Sequence, residues 1–245
     1  MISLELLAKM MECGRLEPYS NKNEIIKLCD QAKEYNFGIV YANLSYIPLI
    51  VDELKYTKIL VGVPISFPFG STSMEMKIQE TKQAISEGAQ EIDMVMNIQR
   101  FKSGEYNYVE EDISGVVEEA NNYITKVIIE TCYLDKKEII DASNIVKKAG
   151  AKFVKTSTGY GKYCSRLVDI ILIKDNVDIG IKAAGDIEDV YTCIKMIEAG
   201  ATRIGTNGED AINILDNFKI QNLIKIMKVT IDEYVLILKT LIHIY

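Results

Sequence analysis

Residues 150–159 read Gly-Ala-Lys-Phe-Val-Lys-Thr-Ser-Thr-Gly, and the order of residue types in this stretch decides the fold. A glycine at the end of a helical pattern is a left-handed stop. The run from Lys152 to Ser157 then changes from apolar to polar, as a strand does on leaving a core for an opening. Upstream, Asp135 and Glu138 stand at capping-box spacing before the stripe Ile139, Ala142 and Val146, so a helix is expected from the box to Gly150. Helix, Gly-Ala stop and strand recur at Gly88-Ala89 and Gly200-Ala201. Four residues beyond each alanine lies a residue unusual for a strand: Asp93, Lys155 and Gly205. At ~3.3 Å per residue, that distance carries a strand from its N-terminal end toward its C-terminal mouth, so the three are expected at comparable height.

Outward from this unit, strands are expected at Met10 to Leu16, Gly38 to Asn43, Lys58 to Val63, Glu91 to Asn97, Lys126 to Thr131, Lys152 to Ser157, Ile179 to Ala184 and Thr202 to Thr206. Helical stripes separate them: Ile25, Leu28, Cys29 and Ala32; Ile78, Thr81 and Ile85; Ile187, Val190, Ile194 and Ile197. Such alternation is the rhythm of an α/β protein built as a (β/α)8 TIM barrel, with an open doubly wound sheet as the rival. No Gly-x-Gly-x-x-Gly follows an early strand, which favours the barrel. Without a Pro/Gly/Ser-rich linker, residues 1–245 are expected to form a single domain, with the apolar stretch 220–245 as a C-terminal helical extension.

Composition narrows the function. With 48% hydrophobic and 26% charged residues the chain can bury a sizeable core, which excludes a disordered or collagen-like protein. Its 28 Lys and Arg against 35 Asp and Glu leave a net charge of −7, without the basic footprint of a nucleic-acid binder. A small molecule is the expected partner. The first ten residues lack a basic start and long apolar core, and no apolar run approaches the ~20 residues of a membrane span, so neither signal peptide nor membrane is expected. Five cysteines without Cys-x-x-Cys spacing suit a reducing compartment, and a cytoplasmic location is expected. The one histidine, His243, leaves no second imidazole for a His-pair zinc motif, so the chemistry falls to Lys, Asp, Glu or Cys.

Lys155 and Lys182 lie on consecutive strand candidates. If both point into a barrel mouth, each ammonium disfavours the charge of the other and burial lowers the pKa further. A neutral lysine is what attack on a carbonyl requires. The plainer reading leaves each as a strand-end charge reaching solvent. Asp93 interrupts the apolar run Glu91 to Asn97 and needs a cationic partner, either in a structural salt bridge or in a proton relay with the two lysines. Gly205-Thr206-Asn207-Gly208 offers backbone N–H groups ahead of a helix, where barrels bind phosphate; a plain turn is the alternative. Cys132 has no histidine beside it and reads as packing or mouth lining.

The segments EIDMVMN (91–97), KVIIETCYL (126–134), AKFVKTSTG (151–159), IKAAGDI (181–187) and RIGT (203–206), in this order, resemble deoxyribose-phosphate aldolase, a class I aldolase family. With Phe67-Pro68-Phe69-Gly70 the resemblance extends over roughly residues 10–210. It implies a barrel in which Lys155 forms a Schiff base, Lys182 perturbs its pKa and Asp93 takes part in proton transfer. The implied reaction is reversible cleavage of 2-deoxy-D-ribose 5-phosphate to acetaldehyde and D-glyceraldehyde 3-phosphate, without metal or other cofactor. The implied phosphate end comprises Thr158, Gly159, Gly185, Asp186, Gly205, Thr206 and Asn207. Covalent catalysis by lysine also accounts for chemistry in a chain with one histidine.

Most departures from the family lie at the phosphate end. Asp186 stands where the family has a second glycine, and a carboxylate ~4 Å from a phosphate costs on the order of 1 to 4 kcal/mol. Asn207-Gly208 replaces a serine pair there, and Tyr160 to Tyr163 replaces a Gly-rich loop in which Lys162 restores a cation; near the N-terminus, away from that end, Met11-Glu12-Cys13-Gly14-Arg15-Leu16 replaces an Asp-containing strand and Tyr41-Ala42-Asn43-Leu44 replaces Cys-Val-Asn-Pro. Two other readings therefore stand beside the first: the same lysine chemistry on a different, non-phosphorylated aldehyde or sugar, and a non-catalytic barrel that binds. A homodimer is the assembly considered, and Tyr245 is a candidate to reach the site.

Overall fold

The computed structural model describes residues 2–224. Most of the expected C-terminal extension, with His243 and Tyr245, lies outside the described residues. The chain begins with α1 (Leu4–Met10), capped by Ser3, and runs directly into β1 (Met11–Arg15). There follow α2 (Lys22–Tyr35), β2 (Ile39–Ala42), α3 (Ile47–Leu54), β3 (Leu60–Ile65), α4 (Met74–Ser86) and β4 (Glu91–Val95). The second half holds α5 (Ile98–Lys102), α6 (Tyr106–Ala120), β5 (Ile124–Ile128), α7 (Lys136–Lys148), β6 (Phe153–Lys155), α8 (Leu167–Asn176), β7 (Gly180–Ala184), α9 (Val190–Glu198) and β8 (Arg203–Thr206). Residues 208–224 form a further helix. The eight strands are parallel in chain order, and β8 pairs with β1, so the sheet is a closed (β/α)8 barrel.

Local chemistry places these elements. The Asp135–Glu138 capping box starts α7, and Gly88, Gly150 and Gly200 take φ of 104°, 90° and 122° behind their helices. Outward-facing strand residues such as Val40, Val63, Ile92, Val127, Val154 and Ile181 are buried beneath the helices, where the apolar core sits. All eight expected strands form, with ends moved by one or two residues at several of them: β3 lies two residues later than expected, and β4 and β6 stop at Val95 and Lys155. Three further differences have a local cause or bear on a helix. First, β5 ends at Ile128 instead of Thr131, because Glu130 turns into the left-handed region at φ 52° and Thr131–Tyr133 make a short 3-10 turn. Second, Ile187 precedes α9, whose cap is Asp189. Third, the buried face of α4 is Lys77, Thr81 and Ala84, because Lys77 reaches inward to Asp112 and the Val95 carbonyl.

Strand register sorts the inward side chains into layers. Following paired residues round the barrel, and stepping two residues toward the strand ends at every second strand, leads from Asp93 to Lys155, Gly205, Tyr41 and back to Asp93. That is the eight-residue stagger of such barrels, with four side chains per layer drawn from alternate strands. The three positions expected at one height therefore share a layer. Beneath it lie Glu12, Gly62, Lys126 and Lys182, and beneath those Ile39, Glu91, Phe153 and Arg203.

Candidate active site

Most inward positions of the two upper layers are charged, and their side chains converge. Asp93 Oδ2 is 2.7 Å from Lys182 Nζ and 3.1 Å from Lys155 Nζ. The other oxygen, Oδ1, accepts from Tyr41 Oη at 2.8 Å and faces Lys126 Nζ at 3.4 Å. Lys126 donates to Tyr41 Oη at 2.8 Å and pairs with Glu91. Glu12 Oε2 lies 2.5 Å from Lys182 and 3.4 Å from Lys126, and its Oε1 lies 2.9 Å from Arg203 Nε. Asp93 and Lys126 are fully buried and Lys155 is 6% exposed, so the alternative of strand-end lysines reaching solvent does not apply.

Burial opposes charge on every member, and neighbours decide the outcome. For Lys155, burial and then the Lys182 ammonium lower the pKa to about 8, against the pull of Asp93. For Asp93 burial is outweighed by Lys182, Lys126 and Lys155, which hold the carboxyl well below its ordinary range. Lys126 is pushed up despite its burial by Asp93, Glu12 and Glu91. Three carboxylates, Glu12, Glu91 and Asp93, thus face Lys126, Lys182 and Arg203, and the charge count closes with Lys155 neutral.

A cavity of about 520 Å³ opens above this cluster at the C-terminal strand ends. Lys155, Lys182, Glu12 and Tyr41 contribute to its lining, and Thr158, Gly159, Gly185, Asp186, Gly205, Thr206 and Asn207 line it as well. Three of these side chains are engaged within the protein. Thr158 bonds Glu130 through its hydroxyl and its N–H, Thr206 Oγ1 donates to the Ile187 carbonyl at 3.0 Å, and Asn207 Oδ1 accepts from Asp210 N at 2.8 Å. The mouth is acidic: Glu17, Asp186, Glu188 and Asp210 all line it. Lys162 stacks 5.7 Å from the Tyr133 ring centre and is not part of the wall. Arg15 is paired with Glu209 at 2.5 Å.

Four members of the site have no role assigned from sequence, although two of them stand in segments that depart from the family: Glu12, Tyr41, Lys126 and Glu130. Glu12 and Lys126 interrupt apolar strands as Asp93 does, and that signal was available in Met11-Glu12-Cys13 and Lys126-Val127-Ile128. Glu130 is 2% exposed and pins the turn after β6 through Thr158; burial raises its pKa above the ordinary value. Nothing in the chain's local pattern marks its left-handed backbone.

Known proteins bear on this geometry. The profile of the DeoC/LacD family aldolases matches residues 9–208. A deoxyribose-phosphate aldolase of Caldanaerobacter subterraneus subsp. tengcongensis is 42% identical over 226 residues, covering 90% of this chain and 97% of that protein. One from Clostridium perfringens strain SM101 is 45% identical over 209 residues, 84% of this chain and 93% of its own length. Among solved structures, the aldolase QR15 superposes with a TM-score of 0.84 at 36% identity, over 89% of this chain and 98% of that one. Among the described residues no helix is long and apolar enough to cross a membrane.

Proposed function

The chain belongs to the DeoC/LacD family of aldolases, and from that premise we propose that it cleaves 2-deoxy-D-ribose 5-phosphate reversibly to acetaldehyde and D-glyceraldehyde 3-phosphate through a Schiff base on Lys155. The observation that carries this reading is a buried amine near pKa 8, touching a carboxylate that also touches a second lysine, at the floor of an open cavity.

The neutral Lys155 amine adds to C1 of the open-chain sugar, and loss of water leaves an iminium. Electrons from the C2–C3 bond flow into that iminium as the C3 hydroxyl loses its proton, giving the C3 aldehyde and an enamine across C1 and C2. Protonation at C2 and hydrolysis release acetaldehyde and restore the amine. Asp93 and Lys182, 2.7 Å apart, hold and return the proton. The phosphate is assigned to Thr158, Gly159, Gly185, Thr206 and Asn207 near the start of the helix at residue 208, with Gly205 below them in the layer of Lys155. The same reading places the protein in the cytoplasm, in keeping with five free cysteines, all buried. It extends to a homodimer, for which exposed Leu167, Val168 and Ile171 of α8 offer an apolar face.

Borohydride reduction followed by intact-mass spectrometry tests the central step. With 2-deoxyribose 5-phosphate, a reduced adduct is expected on the parent and none on Lys155→Ala. An adduct confined to unphosphorylated deoxyribose or acetaldehyde moves the reading to another aldehyde, and no adduct from any of them removes the Schiff base.

A further inference from the structure

The layer that holds Asp93, Lys155 and Gly205 has Tyr41 as its fourth member. The chain before it is built like the other three repeats, without their glycine. Asn36 takes φ 57° where Gly88, Gly150 and Gly200 stop their helices, Phe37 stands in the place of the alanine, and Tyr41 follows Phe37 by the same four residues. The ring has a seat made for it: Gly62 is its cross-strand partner, and a Cβ there would lie 2.3 Å from Tyr41 Cε1. Lys182 Nζ stands 4.0 Å from the ring centre. The hydroxyl donates to Asp93 Oδ1 and accepts from Lys126, both at 2.8 Å. Burial, reinforced by Asp93, Glu12 and Glu91, holds the phenol well above its ordinary pKa, so it remains a donor.

We propose that Tyr41 is a positioning residue: by occupying Asp93 Oδ1 it leaves Oδ2 for Lys155 and Lys182 and limits the negative charge that reaches the Lys155 amine. This rests on the role given to Lys155 above. The charged groups around that amine are Glu12 on β1, Asp93 and Glu91 on β4, Lys126 on β5, Glu130 beyond it, Lys182 on β7, and Arg203 on β8 through its pair with Glu12. Among the described residues, Asp93 is the carboxylate within ion-pair distance of Lys155. A hydrogen bond into a carboxylate draws charge toward the donor and away from its other partners. Without the hydroxyl, more of the Asp93 charge falls on Lys155, which becomes more basic and less often neutral.

The pH dependence of borohydride trapping with 2-deoxyribose 5-phosphate separates this role from plain packing. Tyr41→Phe keeps the ring and loses the hydroxyl; Gly62→Ala keeps every charged group and displaces the ring. In both, the midpoint of imine formation is expected to rise by about half to one pH unit, so trapping near neutral pH falls about three- to tenfold and recovers at alkaline pH. Adding Gly62→Ala to Tyr41→Phe moves the midpoint no further. An unchanged midpoint in Tyr41→Phe, with or without a uniform loss of rate at all pH, overturns the proposal. Should circular dichroism show Tyr41→Phe unfolded, Gly62→Ala is judged by the same criterion. A parent that traps no imine overturns the reading of Lys155 itself, whereas a normal parent with an unmoved variant overturns the role of Tyr41 alone.

Discussion

Lys155 ties reactivity and stability together with opposite signs. Its amine loses a proton near pH 8 in the fold and near 10.5 in an open chain, so kcat/KM is expected to climb with pH through about 8 as the neutral nucleophile accumulates. The same shift means that the unfolded chain binds the extra proton between those values, so stability rises over that window and the penalty of burying the ammonium is fully present below it. Lys155→Met is therefore expected to melt a few degrees above the parent at neutral pH, with the gap closing above about pH 10; calorimetry at the two pH values checks it. Lys126→Met acts the other way, since it leaves Glu12, Glu91 and Asp93 one cation short in a dry interior. A loss of about 3 to 5 kcal/mol in urea unfolding is expected. Asp93, Lys155 and Lys182 were legible as residues because a charge in an apolar strand needs a reason. Tyr41 was not, because an aromatic residue in a strand is ordinary and its partner Gly62 is twenty-one positions away.

At the scale of the element, helices with written caps were legible nearly to the residue, as α7 shows with its box and its Gly150 stop. Strand ends were less so. The expected β5 ran on to Thr131 because Ile129 and Thr131 continue the alternation, and they do bond to the Lys155 and Thr156 carbonyls; the break comes from Glu130, which turns toward Thr158, a contact 28 residues distant. The turn after β7 carries a similar tertiary decision. Asp186 adopts φ 56° behind Gly185 and lines the mouth assigned to the phosphate, its carboxylate meeting the Cys164 thiol. Because Asp186 is exposed, only about 1 kcal/mol of repulsion is expected, so Asp186→Gly should lower KM for 2-deoxyribose 5-phosphate about three- to tenfold, with steady-state kinetics on unphosphorylated deoxyribose unchanged.

For the whole molecule, the barrel was legible from rhythm, because eight alternations leave few topologies. The charged interior was only half legible, because each strand displays its own charge but not the partner across the lumen. Acid titration should report on that interior: Asp93 and Glu12 ionise at lower pH in the fold than in the open chain, so the stability they contribute is full above about pH 5 and is lost as pH falls below. Chevron midpoints measured across that range check the direction. The pairing of β8 with β1 has a further consequence, for the order in which the protein is made. Glu12 leaves the ribosome 114, 170 and 191 residues ahead of its ion-pair partners Lys126, Lys182 and Arg203. Until translation reaches them, a nascent chain that closed its first strands would trap a carboxylate with nothing to answer it, so the half-made barrel has an electrostatic reason to stay open.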